Sequence, residues 1–508
     1  MNKGKISMLN AAIALLQMLT TSVIGLVFNK IILDSFGSYA NGINATITQI
    51  VNAIMIVEGG FTLASNVALF EPWGKQDINR INGILSATKK RFAVIGWLSL
   101  VVGLLVAVAY PFTVDSDMPY FEIVALMLSV LLPTCYNLGV TTKYRVVLLT
   151  EQKEYIISII STVTYVIGVL IAIFAVLFFE VSLLTTRCII MLSLFANYIA
   201  VGLYCNKKYP YISFKEKPQY NEIKGTKSVI ALKLTSVLYT SAPIIIISML
   251  PKGGFALASV YAVYNGIMNI VNSGLNAVVN APRLGLGALF AENDKKSLVS
   301  VYSQYEFISF MGLAVILGTA SLLILPFVSV YTSGIEDVNY IDKLLAILLI
   351  AKNFFEVLHI PSGQMIQMSG RFGASNKIQI VACIALVIVL LIGFVLADLY
   401  IIIFAVVFAA VVLAVLEIIY TERNILNRGW RSLIRSAIPT FAICTTCAAL
   451  GMANKMACHN FFDFIVLGII TVATVSLVSV VTFFIVDKNT TKKIFSFVIR
   501  NILKTRKL

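Results

Sequence analysis

Three ionisable residues at helical spacing are the strongest candidates for chemistry in this sequence. Lys352, Glu356 and His359 are separated by four and three residues, so a helix places them on one stripe and lets Lys352 and Glu356 form an ion pair. His359 lies just before Pro361 and titrates near physiological pH. Such a stripe can bind an anion, relay protons or do both. The alternative is a neutralised ion pair with a purely structural role.

A second polar stripe consists of asparagines. Asn265, Asn269, Asn272, Asn276 and Asn280 follow in steps of 4, 3, 4 and 4, which places all five amides on one helix face. A looser upstream series comprises Asn41, Asn44, Thr48, Asn52, Glu58, Thr62 and Asn66. Amides in hydrocarbon are costly unless paired, so these faces line a hydrophilic cavity or hydrogen-bond between packed helices. Five amides exceed what packing requires and favour the cavity.

The elements that position these residues are membrane-spanning helices. The 508 residues have a mean hydropathy of +0.92, 59% hydrophobic residues and 12% charged residues, far from the balance of a soluble domain. About fourteen apolar segments are each about 20 residues long, which is enough to cross a bilayer as a helix. The sequence therefore predicts an all-α polytopic membrane protein with about fourteen transmembrane helices.

The distribution of charge predicts the topology and excludes a nucleic-acid surface. The chain carries a net charge of +15, and 32 of its 39 lysines and arginines fall in alternate gaps between the spans. By the positive-inside rule those gaps are cytoplasmic, and so are both termini. The basic character is therefore explained by topology, and no nucleic-acid partner is expected.

Ionisable residues within the spans are functional candidates by default, because each costs about 2.5–3.5 kcal/mol at a helix centre. Arg187 lies about 10 Å below the predicted outer surface at the rise of a helix, and Lys233 lies about one turn from the cytoplasmic side. Glu58 belongs to the upstream polar series. Glu417 is expected to snorkel to the cytoplasmic end of its span, near Arg423. Snorkelling is also an alternative for Arg187 and Lys233.

The chain contains an internal repeat with an offset of 220 residues. Residues 39–75 align without gaps with 259–295, and Ile50-Val51-Asn52 matches Ile270-Val271-Asn272. Two parallel halves are a known transporter plan with the substrate site between them. The predicted organisation is an N-terminal six-helix bundle, a cytoplasmic linker, a pseudo-symmetric C-terminal six-helix bundle, an additional helix pair and a basic amphipathic tail, at 1–205, 206–228, 229–420, 421–486 and 487–508.

The seven cysteines predict no metal chemistry. Nearly all lie in apolar runs, and Cys444 and Cys447 form a C-x-x-C without a nearby histidine or second pair. We expect them to be buried small residues. No metal site, cofactor or catalytic residue is predicted.

The pattern resembles the polysaccharide transporter family of the multidrug/oligosaccharidyl-lipid/polysaccharide exporter superfamily. The resemblance covers essentially the whole chain and rests locally on residues 22–37, on Gly59-Gly60-Phe61 and on the turn Gln367-Met368-Ser369-Gly370-Arg371. It implies two bundles around a cavity that opens alternately to each side. It also implies transport of oligosaccharide repeat units on undecaprenyl pyrophosphate across the bacterial inner membrane. The implied partners are that lipid-linked substrate, the membrane and a polysaccharide polymerase complex.

The candidate residues fit that implication. A multiply anionic pyrophosphate in low-dielectric material needs fixed cations, and the buried cations are Arg187, Lys233 and Lys352. Asparagine amides suit sugar hydroxyls because they both donate and accept. The cavity candidates are therefore these three cations with Asn52, Asn265, Asn269, Asn272 and Asn276. The candidates for proton or sodium coupling are Glu58, Glu356 and His359.

Two other function classes remain open. A drug or organic-cation antiporter of the same superfamily would favour a cavity richer in carboxylates, for which Glu58 and Glu356 are the candidates. A membrane-embedded glycan polymerase or ligase is the enzymatic alternative. Such enzymes usually work in sizeable extracytoplasmic loops, whereas no predicted outer gap here much exceeds ten residues.

Overall fold

The computed structural model describes residues 3–55, 58–223, 226–251, 253–280, 295–429, 431–453, 458, 460–488 and 490–492. Their regular structure is helical throughout, with no strand in these ranges. The all-α fold class predicted from the sequence is therefore confirmed. Contacts divide the chain into two compact units, residues 1–259 and residues 260–508, with the division inside one helix.

Within the described ranges, the first unit contains eight α-helices and the beginning of a ninth. They are α1 (Lys3–Ile54), α2 (Glu58–Gly74), α3 (Ile78–Ala109), α4 (Tyr120–Tyr136), α5 (Thr142–Thr150), α6 (Glu154–Phe179), α7 (Leu183–Lys208), α8 (Thr226–Ser248) and the first residues of α9 (Gly254–Asn280). Helix α8, which the sequence analysis assigns to the second bundle, packs against α1 and α2.

In the described part of the second unit, the remainder of α9 is followed by seven further α-helices. They are α10 (Lys295–Tyr331), α11 (Lys343–Leu358), α12 (Ile360–Met368), α13 (Phe372–Val395), α14 (Leu399–Thr421), α15 (Arg431–Ala453) and α16 (Phe461–Val486). Helix α10 packs against α15 and α16, so the predicted additional pair at 421–486 is built onto this unit.

Twelve helical segments in the described ranges are long and apolar enough to cross a membrane, against about fourteen predicted spans. One of the twelve, Leu9–Ile54, has 46 residues, or about 69 Å at 1.5 Å per residue, which is twice the hydrocarbon thickness. Gly37 interrupts it with a φ of 78°, a conformation that glycine adopts without strain. The described apolar part of α8, Thr235–Ser248, is shorter than a span.

Side-chain exposure has the pattern expected of a protein surrounded by lipid. Large apolar residues cover the outside of α3, where Val94, Trp97 and Leu105 are 67%, 69% and 67% exposed. In a soluble monomer such a continuous apolar surface would be unusual. Within the described ranges, several polar groups are instead nearly fully buried, among them Glu306, Lys352 and Glu417.

Helix starts follow the local sequence. Asp342 caps α11, accepting from the amide of Leu345 at 2.9 Å, and Asp398 caps α14 through the amides of Tyr400 and Ile401. Side-chain oxygens at this position satisfy amides that have no partner inside the helix. These caps fix where each apolar segment begins.

The order of elements repeats between the two units at the offset found in the sequence. Helix α3 corresponds to α10, the broken pair α4–α5 to α11–α12, α6 to α13 and α7 to α14. In each pair the α-helix is interrupted at one place. The interruption is a π-helical turn at Asn137–Thr141 in the first unit and lies at His359 in the second. A membrane helix that is broken at the same place in each of two repeated halves is typical of a binding region.

Residues 209–223, within the predicted linker, pack onto the first unit. Asn82 Oδ1 accepts from the amide of Ser213 at 2.9 Å, and Gly83 O accepts from the amide of Gln219 at 3.1 Å. The ring of Phe214 lies 5.3 Å from that of Tyr144. The cytoplasmic placement of this segment and of both termini stays a prediction, and tail residues 493–508 lie outside the described part.

Candidate functional site

The candidate site of the first unit is a cation held against a polar helix face. Ser182 caps α7 and Arg187 follows in its second turn. One guanidinium nitrogen, Nη2, donates to Asn44 O and to Thr48 Oγ1, both at 3.1 Å. Thr48 Oγ1 in turn donates to Asn44 O at 2.8 Å. The polar series on α1 therefore positions Arg187.

Arg187 is half-buried and has no carboxylate partner among the described side chains. A buried cation without a counter-charge is costly unless a ligand supplies one. The guanidinium fork suits phosphate and carboxylate groups, since its N–H donors match two acceptor oxygens at once. This arrangement is chemically suited to binding an anion.

The polar face of α1 serves both packing and recognition. Asn41 Nδ2 donates to Ser259 Oγ at 2.7 Å, and Gln49 Oε1 accepts from Ser241 Oγ at 2.9 Å, so these amides join helices. The buried Oδ1 of Asn44 has no hydrogen-bond partner, although buried amides usually have one. Asn52 is exposed. Helix–helix bonding therefore accounts for Asn41 and Gln49, whereas it does not account for Asn44 Oδ1 or Asn52.

The amides of the asparagine stripe on α9 are at least partly exposed and could contact a ligand. Asn269 and Asn276 are exposed, while Asn265 and Asn272 are half-buried. The buried Oδ1 of Asn272 has no hydrogen-bond partner. The side chain of Asn280 lies outside the described part. The four described amides share one face, as predicted, and their role in binding stays a prediction.

The charged stripe begins with a compact ion pair on α11. Lys352 Nζ lies 3.0 Å from Glu356 Oε2, one helical turn away, and Lys352 is only 7% exposed. The neighbouring Asn353 is fully buried and donates to Leu349 O at 2.8 Å. Lys352 is thus neutralised locally, unlike Arg187. The predicted intrahelical pair forms, so Lys352 is a weaker candidate than Arg187 for binding an anion.

His359 forms the second charged contact of the stripe. It lies at the break between α11 and α12, and its Nδ1 is 2.9 Å from Glu417 Oε2 on α14. Glu417 is 2% exposed, and a Cβ on Gly363 would lie only 2.4 Å from that same oxygen. The expected snorkelling of Glu417 toward Arg423 is therefore wrong: the carboxylate is enclosed and pairs with the imidazole.

A third buried charge cluster was not anticipated from the sequence. Arg428 donates through Nε to Glu422 Oε2 at 2.9 Å and through Nη2 to Glu306 Oε2 at 2.7 Å. Glu306 and Glu422 are 1% and 2% exposed, and Tyr302 places its ring 5.0 Å from the guanidinium. Burial alone lowers the pKa of Arg428, but the hydrogen bonds to Glu422 and the charge of Glu306 raise it above its ordinary value. The cluster joins α10 to the π-helical turn at Glu422–Leu426.

Two predicted site residues are described only by their backbone. Glu58 begins α2 and Lys233 lies in α8, but both side chains lie outside the described part. Among the described residues, no group of three or more histidines, cysteines or acidic residues is placed to hold a metal ion.

Solved structures of transporters share this fold. The lipid II flippase MurJ in an inward-closed conformation matches with a TM-score of 0.70 at 11% identity, covering 94% of this chain and 99% of that one. An inward-facing multidrug-resistance MATE family transporter of the MOP superfamily matches with a TM-score of 0.59 at 12% identity, covering 84% and 96%. The MATE multidrug transporter DinF-BH matches with a TM-score of 0.57 at 14% identity, covering 84% and 97%.

At these identities the likeness concerns the fold. No model of a known protein family matches the sequence. A search of curated proteins also finds no match. The fold of the predicted superfamily is therefore confirmed, while membership of its polysaccharide transporter family stays a prediction.

Proposed function

We propose that this chain is a transporter that flips lipid-linked oligosaccharides across a membrane. The observation that carries the proposal is Arg187, a half-buried cation without a described carboxylate partner, held beside an amide oxygen that lacks a hydrogen bond. A pyrophosphate headgroup supplies the missing negative charge, and sugar hydroxyls supply the missing donors. MurJ, which shares this fold, is named as a lipid II flippase.

The proposed substrate is an oligosaccharide repeat unit on undecaprenyl pyrophosphate, used in cell-surface polysaccharide synthesis. The headgroup binds Arg187 and the amides of α1, while the lipid tail stays in the bilayer and is not transferred out of hydrocarbon. Alternating exposure of the polar faces then delivers the headgroup outward. The proposal includes the bacterial inner membrane, cytoplasmic termini and a polymerase complex as partner, and it assigns no catalytic residue.

The decisive experiment is flipping in proteoliposomes that contain a fluorescent undecaprenyl-pyrophosphate oligosaccharide. We expect externally added quencher to reach nearly all of the label when the protein is present, and about half of it in protein-free vesicles. The same vesicles are then tested for export of a cationic rhodamine dye. Absence of lipid flipping together with export of the dye contradicts the proposal and supports an antiporter.

The organic-cation antiporter remains the second candidate because one observation favours it. The enclosed carboxylate of Glu417 places negative charge inside the second unit, and carboxylates suit cationic substrates. MATE transporters with this fold are named as multidrug transporters. The substrate comparison above separates the two functions directly.

We infer that the pair formed by His359 and Glu417 couples transport to protons. An imidazole that contacts an enclosed carboxylate at a helix break can gain and lose a proton with a change in local charge. In Glu417→Gln the shape is kept and the charge is lost. We expect flipping driven by an imposed proton gradient to fall at least about tenfold, which corresponds to about 1.4 kcal/mol.

The control is the ion pair between Lys30 and Asp34, in which Asp34 is 44% exposed. Asp34→Asn removes a carboxylate, as Glu417→Gln does. Flipping should keep its gradient dependence in that variant. Unchanged gradient dependence in Glu417→Gln would show that this pair is structural. A response to a sodium gradient alone would also exclude the pair as the proton coupling site.

A further inference from the structure

The first unit has an apolar groove that the proposed function does not use. Three helices, α3, α4 and α7, enclose a volume of about 450 Å³, which is within the usual range of ligand sites. Its lining is apolar apart from the thiol of Cys135, the phenol of Tyr136 and the indole N–H of Trp97. Trp97 and Leu132 are 69% and 40% exposed at its opening. In a membrane-spanning chain, that opening faces lipid.

Two glycines shape the groove. A Cβ on Gly96 would lie 3.1 Å from the Cα of Gly139, so α3 and the π-helical turn after α4 approach closely there. A Cβ on Gly139 would meet no atom within 4 Å, because it would point into open space. At the repeat offset of 220, Gly139 corresponds to His359. Where the second unit carries an imidazole, the first unit therefore has no side chain, and the groove stays open.

Two lysines lie at one end of the groove. Lys89 precedes the lining residue Ala93 by one helical turn, or about 6 Å along the axis, and Lys143 follows the lining residue Val140 by three positions. The ammonium of Lys143 lies 4.8 Å and 4.9 Å from the ring centres of Tyr144 and Phe214. Lys89 is close enough to Lys143 for their charges to interact.

Neither lysine has an ion-pair partner among the described carboxylates. The ion pairs at this end of the unit belong to other residues, namely Lys75, Arg80 and Lys153 with Glu71, Glu222 and Glu151. Two like charges near each other repel, and a phosphate between them removes that repulsion. An apolar groove that ends in two cations matches the two chemical parts of an anionic lipid. Basic sites between transmembrane helices on the cytoplasmic side bind such headgroups.

We propose that this groove binds an anionic phospholipid of the bilayer, with one acyl chain along α3 and α4 and its phosphate on Lys89 and Lys143. The predicted topology places this end of the groove in the cytoplasmic leaflet, where anionic phospholipids attract basic residues. The site lies in the first unit, uses neither Arg187 nor the amide stripes, and does not depend on the transported substrate.

The test is native mass spectrometry of the purified full-length chain in detergent, titrated with phosphatidylglycerol or with phosphatidylcholine of the same chains. We expect each protein chain to retain one molecule of phosphatidylglycerol in preference to phosphatidylcholine. The double variant Lys89→Gln/Lys143→Gln should lower its affinity about 25-fold, taking about fivefold for each lysine. The matched control is Lys207→Gln/Lys208→Gln, which removes two exposed lysines at the end of α7 and should leave the affinity within about twofold.

Gly139→Leu tests the groove without changing charge. Its side chain enters the open space and competes with the acyl chain, so phosphatidylglycerol affinity should fall at least about tenfold while both lysines remain. The proposal is overturned if the wild-type chain binds the two lipids equally or if the control pair lowers affinity as much as the groove pair. It is also overturned if undecaprenyl phosphate displaces phosphatidylglycerol at equal concentration, because the occupant is then the isoprenoid carrier. None of these outcomes depends on flipping activity.

Discussion

Replacing Arg187 with alanine is expected to reduce flipping of lipid-linked oligosaccharide by at least about 30-fold. Removing one partner of a buried charge pair costs about 2–5 kcal/mol, and 2 kcal/mol corresponds to that factor. The loss should appear in the initial rate at low substrate density in the proteoliposome assay. The reason is that no described carboxylate competes for this guanidinium, so its charge is available to the pyrophosphate.

Arg187→Lys separates charge from geometry. A lysine keeps the positive charge but lacks the planar fork that contacts Asn44 and Thr48. We expect its flipping rate to lie between those of the wild-type and alanine variants. If lysine restores the full rate, a point charge is sufficient and the fork has no role.

Lys75→Ala is the matched control, because it removes a cation of the same unit from an exposed pair with Glu71. Flipping should change by less than about twofold, as expected for a surface ion pair. Melting temperatures of all three variants should stay close to that of the wild type. An Arg187→Ala protein that is folded and flips at the wild-type rate would contradict the role of Arg187, on which the proposed function rests.

The helical architecture was predictable because each span satisfies a local rule. Twenty apolar residues and a cap such as Asp342 or Asp398 suffice to place a helix, whatever its neighbours are. The kink at Gly37 was harder to predict, since a glycine within an apolar run carries no sign of the positive φ that the fold requires. The predicted second span, residues 40–68, is divided between the end of α1 and the beginning of α2.

The site was predictable only as far as its contacts are local. The pair formed by Lys352 and Glu356 follows from spacing along one helix. The contact between His359 and Glu417 joins residues 58 positions apart, and the contact between Arg428 and Glu306 spans 122 positions. Depth along a single span suggested that Glu417 reaches water, whereas packing against Gly363 encloses it. The repeat was the one sequence signal for the position of His359, because its offset of 220 residues aligns the helix interruption at Asn137–Thr141 with the one at His359.

Replacing Arg428 with methionine is expected to destabilise the protein by about 3–5 kcal/mol. The substitution keeps much of the side-chain volume but leaves Glu306 and Glu422 buried without their shared cation, at 1% and 2% exposure. An unpaired buried charge is among the most costly defects in a folded protein. Thermal unfolding in detergent, followed by intrinsic fluorescence, should show a clearly lowered melting temperature.

The triple variant Arg428→Met/Glu306→Gln/Glu422→Gln identifies the cause. If buried charge is responsible, neutralising both carboxylates should recover a substantial part of the loss, because a neutral network carries no uncompensated charge. Arg435→Met is the control, since Arg435 is 56% exposed in its pair with Asp487 and should cost no more than about 1 kcal/mol. Equal effects of Arg428→Met and Arg435→Met would mean that the buried cluster contributes no more than a surface pair. Failure of the triple variant to recover stability would instead assign the loss to packing around Tyr302.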